Sequence, residues 1–290
     1  MSSILLDSCL LCGSIRLSAL RDYEDHALVK CVDCNFVFCN RKPSMSELYA
    51  HYELYLRGNS VSPITIKRYN DLCGKFDRYR STNHMLDVGC GDGHFLAEAK
   101  RNGWNVFGTE FTDRAMEVCR SKGIHMVKGS LQTVHFDPSY FDVITSFEVI
   151  EHINNPREEA ALMAKLLRPG GLLYVTTPNF NSLSRNLMGP RWNVIGYPEH
   201  LCYYTPRSLK MLFQSVGFKM LDLTTTGISI DRINRSGIAS RLGTVKDVDE
   251  QLREKIDRNR MYQLLKYFIN HSLNLFGKGD GLKAFFLKQL

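Results

Sequence analysis

From Met85 onward, short apolar runs alternate along the chain with longer stretches of helical composition. Leu86 and Val88 read as the end of a buried parallel strand, and His94–Arg101 follows as a helix. Trp104–Thr109 (W-N-V-F-G-T) reads as a second strand, Asp113–Lys122 as a helix and His125–Val127 as a short third strand. Phe141–Ser146 (F-D-V-I-T-S) makes a fourth. The helical stretch Arg157–Leu167 is stopped by Arg168-Pro169-Gly170-Gly171, and Leu172–Thr176 makes the fifth strand. Phe218–Leu223 is the sixth. After the turn Gly279-Asp280-Gly281, Leu282–Leu287 (L-K-A-F-F-L) is expected as a last strand, antiparallel at the sheet's end. Strands and helices alternating at these lengths predict an α/β fold with a doubly wound, mostly parallel seven-stranded sheet.

The first strand runs into M-L-D-V-G-C-G-D-G-H-F (Met85–Phe95), an acid followed by three alternate glycines in a strand-to-helix turn. Gly89, Gly91 and Gly93 let the backbone bend tightly and approach a ligand with no Cβ in the way. A dinucleotide fold spaces its glycines G-x-G-x-x-G and sets a pyrophosphate on the helix N-terminus. Here the spacing is G-x-G-x-G, with Asp87 at the strand tip and Asp92 inside the loop. Two carboxylates repel a pyrophosphate but suit the cationic amino group of a methionine moiety. Glu110, 21 residues after Gly89, is placed to accept hydrogen bonds from both ribose hydroxyls of an adenosyl group. The turn Gly129-Ser130-Leu131 is where an adenine would lie. Ser130, Leu131 and the adjoining Cys90, Phe111 and Phe147 are assigned to the same cofactor site.

L-D-V-G-C-G-D-G, the acid at Glu110, F-D-V-I-T-S-F-E-V-I-E-H and L-L-R-P-G-G, in that order, resemble the successive motifs of class I S-adenosylmethionine-dependent methyltransferases. E-V-I-E-H followed by P-E-H-L (Pro198–Leu201) and Y-T-P-R-S-L (Tyr204–Leu209) is similar to the branch that contains ubiquinone-pathway O-methyltransferases and many cell-surface glycan methyltransferases. The resemblance covers about residues 81 to 225. It implies a Rossmann-like sheet, S-adenosylmethionine as cofactor and methyl transfer, and it leaves the acceptor open. In ubiquinone-pathway enzymes the matching acid and histidine positions are implicated in holding a divalent cation, which implies Mg²⁺ at Glu148, Glu151 and His152. Glu148 and His152, four apart, share a face on a helical turn, and Glu151 adjoins it. A hydroxyl acceptor needs a base for its proton, and His200 is the first candidate, His152 the second.

Cys9-x2-Cys12 and Cys31-x2-Cys34, 18 residues apart, have the spacing of two knuckles around one tetrahedral Zn²⁺. Four sulfur ligands close the coordination sphere, so this metal would be structural. Cys39 is a spare ligand of poorer spacing, and Cys73, Cys90, Cys119 and Cys202 read as small buried residues. A cysteine quartet ahead of such a domain is similar to deoxysugar C-methyltransferases. Those enzymes carry a further large C-terminal domain, and the partial likeness does not license C-methylation. The domains expected are a zinc-ribbon-like module over 1–45, a helical linker or cap over 46–80, and a methyltransferase domain over 81–290 with a helical insertion at about 226–278. Ser46–Tyr52 and Thr65–Arg80 look helical. Tyr49, Tyr52 and Tyr55 match a region that closes over the cofactor in related enzymes, or they form an aromatic packing face with Tyr69 and Tyr79.

Composition adds limits. No run of 18 apolar residues occurs, and the N-terminus M-S-S-I-L-L-D lacks the features of a signal peptide, so a cytoplasmic location is expected. Asp247–Tyr267 reads as a helix with an apolar later part, either a lid packed on the core or an interfacial helix reaching a membrane surface and a lipid-linked acceptor. A net charge of +7 is mild and permits an anionic partner. An RNA or DNA methyltransferase using the ribbon as its grip is the main rival. Against it, the fourth strand lacks an Asn/Asp-Pro-Pro-aromatic loop, no Pro-Cys pair occurs, and the basic residues are scattered. A non-catalytic cofactor-binding scaffold would show a decayed glycine loop or acid, and both are intact. The reading is an enzyme that methylates oxygen on a small-molecule, glycan or lipid-linked acceptor, with its oligomeric state open.

Overall fold

The computed structural model describes residues 4–44, 47, 61–227 and 260–289. At the N-terminus, β1 (Ile4–Leu5) pairs antiparallel with β5 (Arg41–Lys42), while β2 (Leu17–Ala19), β3 (Leu28–Cys31) and β4 (Val37–Cys39) form an antiparallel ribbon. Val29 lies in β3 and Val37 in β4. The ribbon sheet has a fourth member from far along the chain, β11 (Cys202–Tyr203), which pairs with β4. The module drawn over 1–45 is therefore one sheet with a piece of the larger domain.

The larger sheet follows the expected strands closely: β6 (His84–Val88), β7 (Asn105–Glu110), β8 (His125–Lys128), β9 (Phe141–Phe147), β10 (Leu167–Pro178), β12 (Phe218–Thr226) and β13 (Gly281–Lys288). The order is β12-β13-β10-β9-β6-β7-β8, with β6 through β10 mutually parallel and β13 antiparallel to both neighbours. Helices cover both faces: α1 (Pro63–Phe76), α2 (His94–Arg101) and α3 (Asp113–Ser121) on one, α4 (Pro156–Leu166) and α6 (Pro206–Gln214) on the other. Alternation along the strands sorts the two cores. Met85 and Val143 face Phe76, Phe95 and Ala99, while Leu86 and Ile144 face Met163 and Leu212. Local chemistry starts α6: Thr205 and Ser208 form a reciprocal capping box with Pro206 at the first turn. The short α5 (Leu183–Met188) follows β10.

Two expectations about the sheet need correction. The last strand is antiparallel, but it is inserted between β10 and β12, and β12 forms the edge. Its residues require this: Leu282, Ala284 and Phe286 are fully buried on one face, and Phe285 on the other packs against Phe76 and Tyr174. A strand with two apolar faces belongs inside a sheet. Strand β10 also starts earlier than Leu172. Leu167 pairs with Phe141, the register slips through Arg168–Gly171, and pairing resumes at Leu172 with Val143.

Of the insertion, α7 (Arg260–Leu275) and the turn after it are described, and the part of the expected helix before residue 260 lies outside the described residues, as do Tyr49, Tyr52 and Tyr55. The C-terminal turn of α7 docks on β12: Thr225 N donates to Asn274 Oδ1 at 2.7 Å, and its hydroxyl to Leu273 O at 3.0 Å. Met261, Leu264, Tyr267, Phe268 and Phe276 remain exposed. Among the described residues no helix is long and apolar enough to cross a membrane.

One buried acid ties the amino ends of β6, β9 and β10 together. Asp142 is fully buried and accepts from Ser81 N and Asn83 N, both at 2.7 Å, and from Arg168 Nε at 2.6 Å. Burial alone would raise its pKa, but the Ser81 amide and the Arg168 guanidinium outweigh it and hold the carboxyl below its usual value of 3.8. A depressed native pKa gives stability that is present above the unfolded value and lost as pH falls through the native one. Arg168 keeps a quarter of its side chain in solvent, which discounts the pair. Asp142→Ala is expected to cost about 2–4 kcal/mol in urea unfolding at neutral pH. The gap to the wild type should narrow in acid below the usual carboxylate range.

Candidate functional site

The neighbours β6 and β9 pair in register from Met85 opposite Val143 to Val88 opposite Ser146, and their outgoing connections diverge to opposite sides of the sheet. Such a divergence opens a crevice beyond the carboxyl ends of the strands. The glycine turn fills one wall. Gly89, Gly91 and Gly93 have φ of 66°, 54° and 68°, a region that disfavours any side chain. A Cβ on Gly89 would lie 2.8 Å from Val149 Cγ2, and one on Gly93 2.7 Å from Cys119 Sγ. Both positions exclude even alanine.

Three acids surround this turn, each held differently. Asp87 is buried and accepts from Thr145 Oγ1 at 2.7 Å across the β6–β9 pair. Glu110, at the tip of β7, accepts from Gly91 N at 2.9 Å and from Phe111 N at 2.7 Å, which ties it to the glycine backbone. Asp92 is buried in the loop, and its Oδ2 has no hydrogen-bond partner among the described residues. A buried carboxylate oxygen left so is costly and fits a site completed by a donor from outside the chain. The residues present therefore suit a ligand with a cationic amino group and a ribose. Ser130 caps a turn by accepting from Thr133 N, with Leu131 buried beneath it, and Phe147 closes β9 against Phe95 and Tyr69. Tyr69 and Tyr79 pack in the core on that side. Cys90 points away from the crevice: its sulfur lies among Cys119 and Met126, and its amide donates to Thr109 O.

On the opposite wall the expected metal trio does not assemble. Only Ile150–His152 is helical, a single 3-10 turn, and Glu148 precedes it at φ 53° and is exposed, so the four-residue spacing of an α-helix never applies. The group that converges is Glu151, His152 and His200, whose ligand atoms lie within 4.8 Å of one another. One carboxylate and two imidazoles do not match Mg²⁺, which takes oxygen ligands. Each histidine is oriented by backbone. His152 Nδ1 meets Glu199 O at 2.6 Å and His200 Nδ1 meets Val194 O at 2.5 Å. A carbonyl can only accept, so both rings carry the proton on Nδ1 and keep Nε2 as the basic nitrogen. Glu199 Oε1 lies 3.9 Å from His200 Nε2, and Thr177 Oγ1 holds Glu151 Oε2 at 3.0 Å. Thr145, within the F-D-V-I-T-S strand, and Thr177 support the site, and neither was singled out by the sequence.

The four cysteines of the ribbon do come together. Cys9 and Cys34 sulfurs are 3.5 Å apart, Cys12 and Cys31 3.6 Å, and all four lie within 4.8 Å of one another. Tetrahedral ligands at Zn–S of about 2.3 Å have sulfurs roughly 3.8 Å apart, so the quartet fits zinc. Gly13 at φ 76° and Asn35 at φ 63° turn the two knuckles. Burial pushes the Cys9 thiol up to about 11, a penalty on its thiolate that a bound cation would offset. Cys39 stays apart, with its sulfur on His26 O. A separate cavity of about 490 Å³ opens between Asn181, Thr205, Arg207, Thr225 and Asn274, on the β12 side of the same carboxyl edge.

A family model described as a methyltransferase domain matches residues 65–223. A ubiquinone biosynthesis O-methyltransferase from Azoarcus sp. (strain BH72) is 27% identical over 159 residues, which are 51% of this chain and 62% of that protein. The match thus spans under two thirds of the relative's length. Among solved structures, a SAM-dependent methyltransferase from Archaeoglobus fulgidus superposes with a TM-score of 0.52 at 17% identity, over 83% of this chain and 99% of that one. The [4+2]-cyclase SpnF superposes with a TM-score of 0.54 at 15% identity, over 81% and 86%. These likenesses show a shared fold.

Gly91→Val is expected to abolish binding of S-adenosylmethionine in calorimetry while the far-UV spectrum is kept. Asp92→Asn, which keeps shape and removes charge, should weaken it about 10- to 100-fold.

Proposed function

The chain belongs to the methyltransferase domain family, and we propose that it is an S-adenosylmethionine-dependent methyltransferase acting on a hydroxyl oxygen of a small-molecule, sugar or lipid-linked acceptor. The observation that carries the acceptor chemistry is the pair of backbone-held histidines, His152 and His200, gathered with the buried Glu151 within 4.8 Å. A thiol ionises readily near neutral pH and needs no strong positioned base, whereas an alcohol holds its proton and must lose it as the new bond forms.

S-adenosylmethionine, when bound, supplies a methyl group on a sulfonium, and the residues of this chain supply placement and proton handling. Asp92 would pair with the amino group, Glu110 would accept from the ribose hydroxyls, and the bare glycine backbone would let the ligand approach. Alignment of acceptor and methyl supplies much of the acceleration. His200 would take the acceptor proton on Nε2 as the methyl carbon leaves sulfur, which keeps the electron pair of the broken bond, and joins the acceptor oxygen; Glu199 at 3.9 Å would stabilise the imidazolium that results. His152 orients the acceptor hydroxyl. The buried Glu151, held by Thr177, keeps the two rings in one electrostatic environment.

A nucleic-acid acceptor is less well supported. The ribbon lends its β4 edge and both faces of that strand to the larger domain, which leaves it less surface for a groove. The relatives' name supports oxygen as the atom methylated.

Purified protein incubated with methyl-labelled S-adenosylmethionine and fractionated polar, quinone and lipid extracts should label one fraction, with a mass gain of one methylene unit. His200→Gln is expected to lower the rate about 100-fold or more while cofactor affinity is unchanged. Labelling of RNA, or full activity in His200→Gln, would refute the reading.

A further inference from the structure

The ribbon and the acceptor histidines are joined by a short, unbroken path. Zinc ligands Cys31 and Cys34 bound the turn that leads into β4, and Cys31 N donates to Phe36 O at 2.9 Å. Strand β4 then pairs with β11, Phe38 opposite Cys202 and Val37 opposite Tyr203, and Cys39 N donates to Leu201 O at 2.8 Å. Leu201 directly follows His200, and its own amide donates to Glu151 O at 2.8 Å. The Tyr203 hydroxyl donates to His200 O at 3.1 Å.

Both faces of β4 are used. Phe36 and Phe38 are fully buried in the core shared with Tyr204, Leu209 and Ile150, and the Phe36 and Tyr204 rings are 5.3 Å apart. Val37 and Cys39 pack on Trp192, Val194, Ile195 and Leu201. Val194 is the residue whose carbonyl fixes the His200 ring. The loop that carries the base thus has a ribbon strand as its floor and its edge. Ribbon strands of three, four and three residues are too short to persist alone. A metal in the quartet supplies what they lack.

We propose that the zinc ribbon is a positioning device for the acceptor side of the site: metal at Cys9, Cys12, Cys31 and Cys34 orders β4, and β4 holds Leu201–Tyr204 and with it the orientation of His200 and His152. This rests on the reading of His200 as the base. The glycine turn joins β6 to α2, and its amides donate to Thr109 and Glu110 of β7, outside the ribbon.

The full-length protein carrying zinc is compared with the same protein stripped by a chelator and then reloaded with zinc alone. Three quantities are read: amide exchange of 198–204 and of 86–93, affinity for S-adenosylmethionine, and the ring ¹⁵N shifts of His200 and His152, assigned with His200→Gln. Stripping should raise exchange at 198–204 about tenfold or more, with that at 86–93 kept. Affinity should change less than about threefold, and the Nδ1–H tautomer signature should be lost and then restored by zinc. Phe36→Ala with zinc retained should give a partial form of the same effect. Unchanged rings and exchange at 198–204 without zinc would overturn the proposal. So would loss of protection throughout the chain, which would make the ribbon a general requirement for folding. None of these readouts uses turnover, so they fail or succeed separately from the His200→Gln activity test.

Discussion

The hydrogen bond from Thr145 to the buried carboxylate of Asp87 crosses between the two strands on which the whole site hangs. A carboxylate with 3% of its surface exposed needs partners, and this one has Thr145 on the neighbouring strand. The bond is compatible with only one register of β6 against β9. That register sets the glycine turn beside the end of β9, from which Glu151 and His152 emerge. A slip of one residue would turn Asp87 toward the wrong face and separate the two walls of the crevice. At the other end of the same strands, Asp142 plays a matching part with Ser81, Asn83 and Arg168. Two buried acids, one near each end, thereby determine how the central strands sit.

Most of the sheet was legible in the sequence because burial on two faces leaves continuous apolar runs, and helices over them leave amphipathic ones. The glycine spacing was legible for a different reason, since positive φ and close approach leave few residue types. What failed to show was whatever depends on tertiary contact. The antiparallel last strand was recognisable in L-K-A-F-F-L, yet its place between β10 and β12 depends on which faces its neighbours leave open. The E-x-x-E-H segment has the spacing of a helical period, but Glu148 sits in the left-handed region and donates its amide to Thr176 O, so the helical turn begins only at Ile150, after the first acid. His200 then joins Glu151 and His152 from a distant loop.

The pairing of β11 with β4 is the clearest case of structure that leaves no sequence trace. Two residues joined by backbone hydrogen bonds need no particular side chains, and Cys202 reads as one more small buried residue. Its cost is equally hard to see. Strand β4 would otherwise present an unpaired edge, which proteins seldom leave exposed, and the loop that carries His200 would lack a floor. Each solves the other's problem. The boundary near residue 45 is thus a boundary along the chain and not one in the packing, since one apolar core runs from Cys31 and Phe36 through Tyr204 to Met163.

The distribution of duties between the two walls also bears on what this fold can catalyse. A cyclase and a methyltransferase share it with this chain at nearly equal TM-scores, 0.54 and 0.52, so the fold cannot by itself select a reaction. Selection must come from the loops opposite. In this chain that wall carries two histidines whose Nδ1 atoms meet main-chain carbonyls. A ring held by a carbonyl cannot pass its Nδ1 proton onward, and its Nε2 is confined to one direction for as long as the loop keeps its shape. The orientation of the two rings is therefore a property of backbone geometry, and backbone geometry at Glu199–Tyr203 belongs as much to the ribbon as to the sheet.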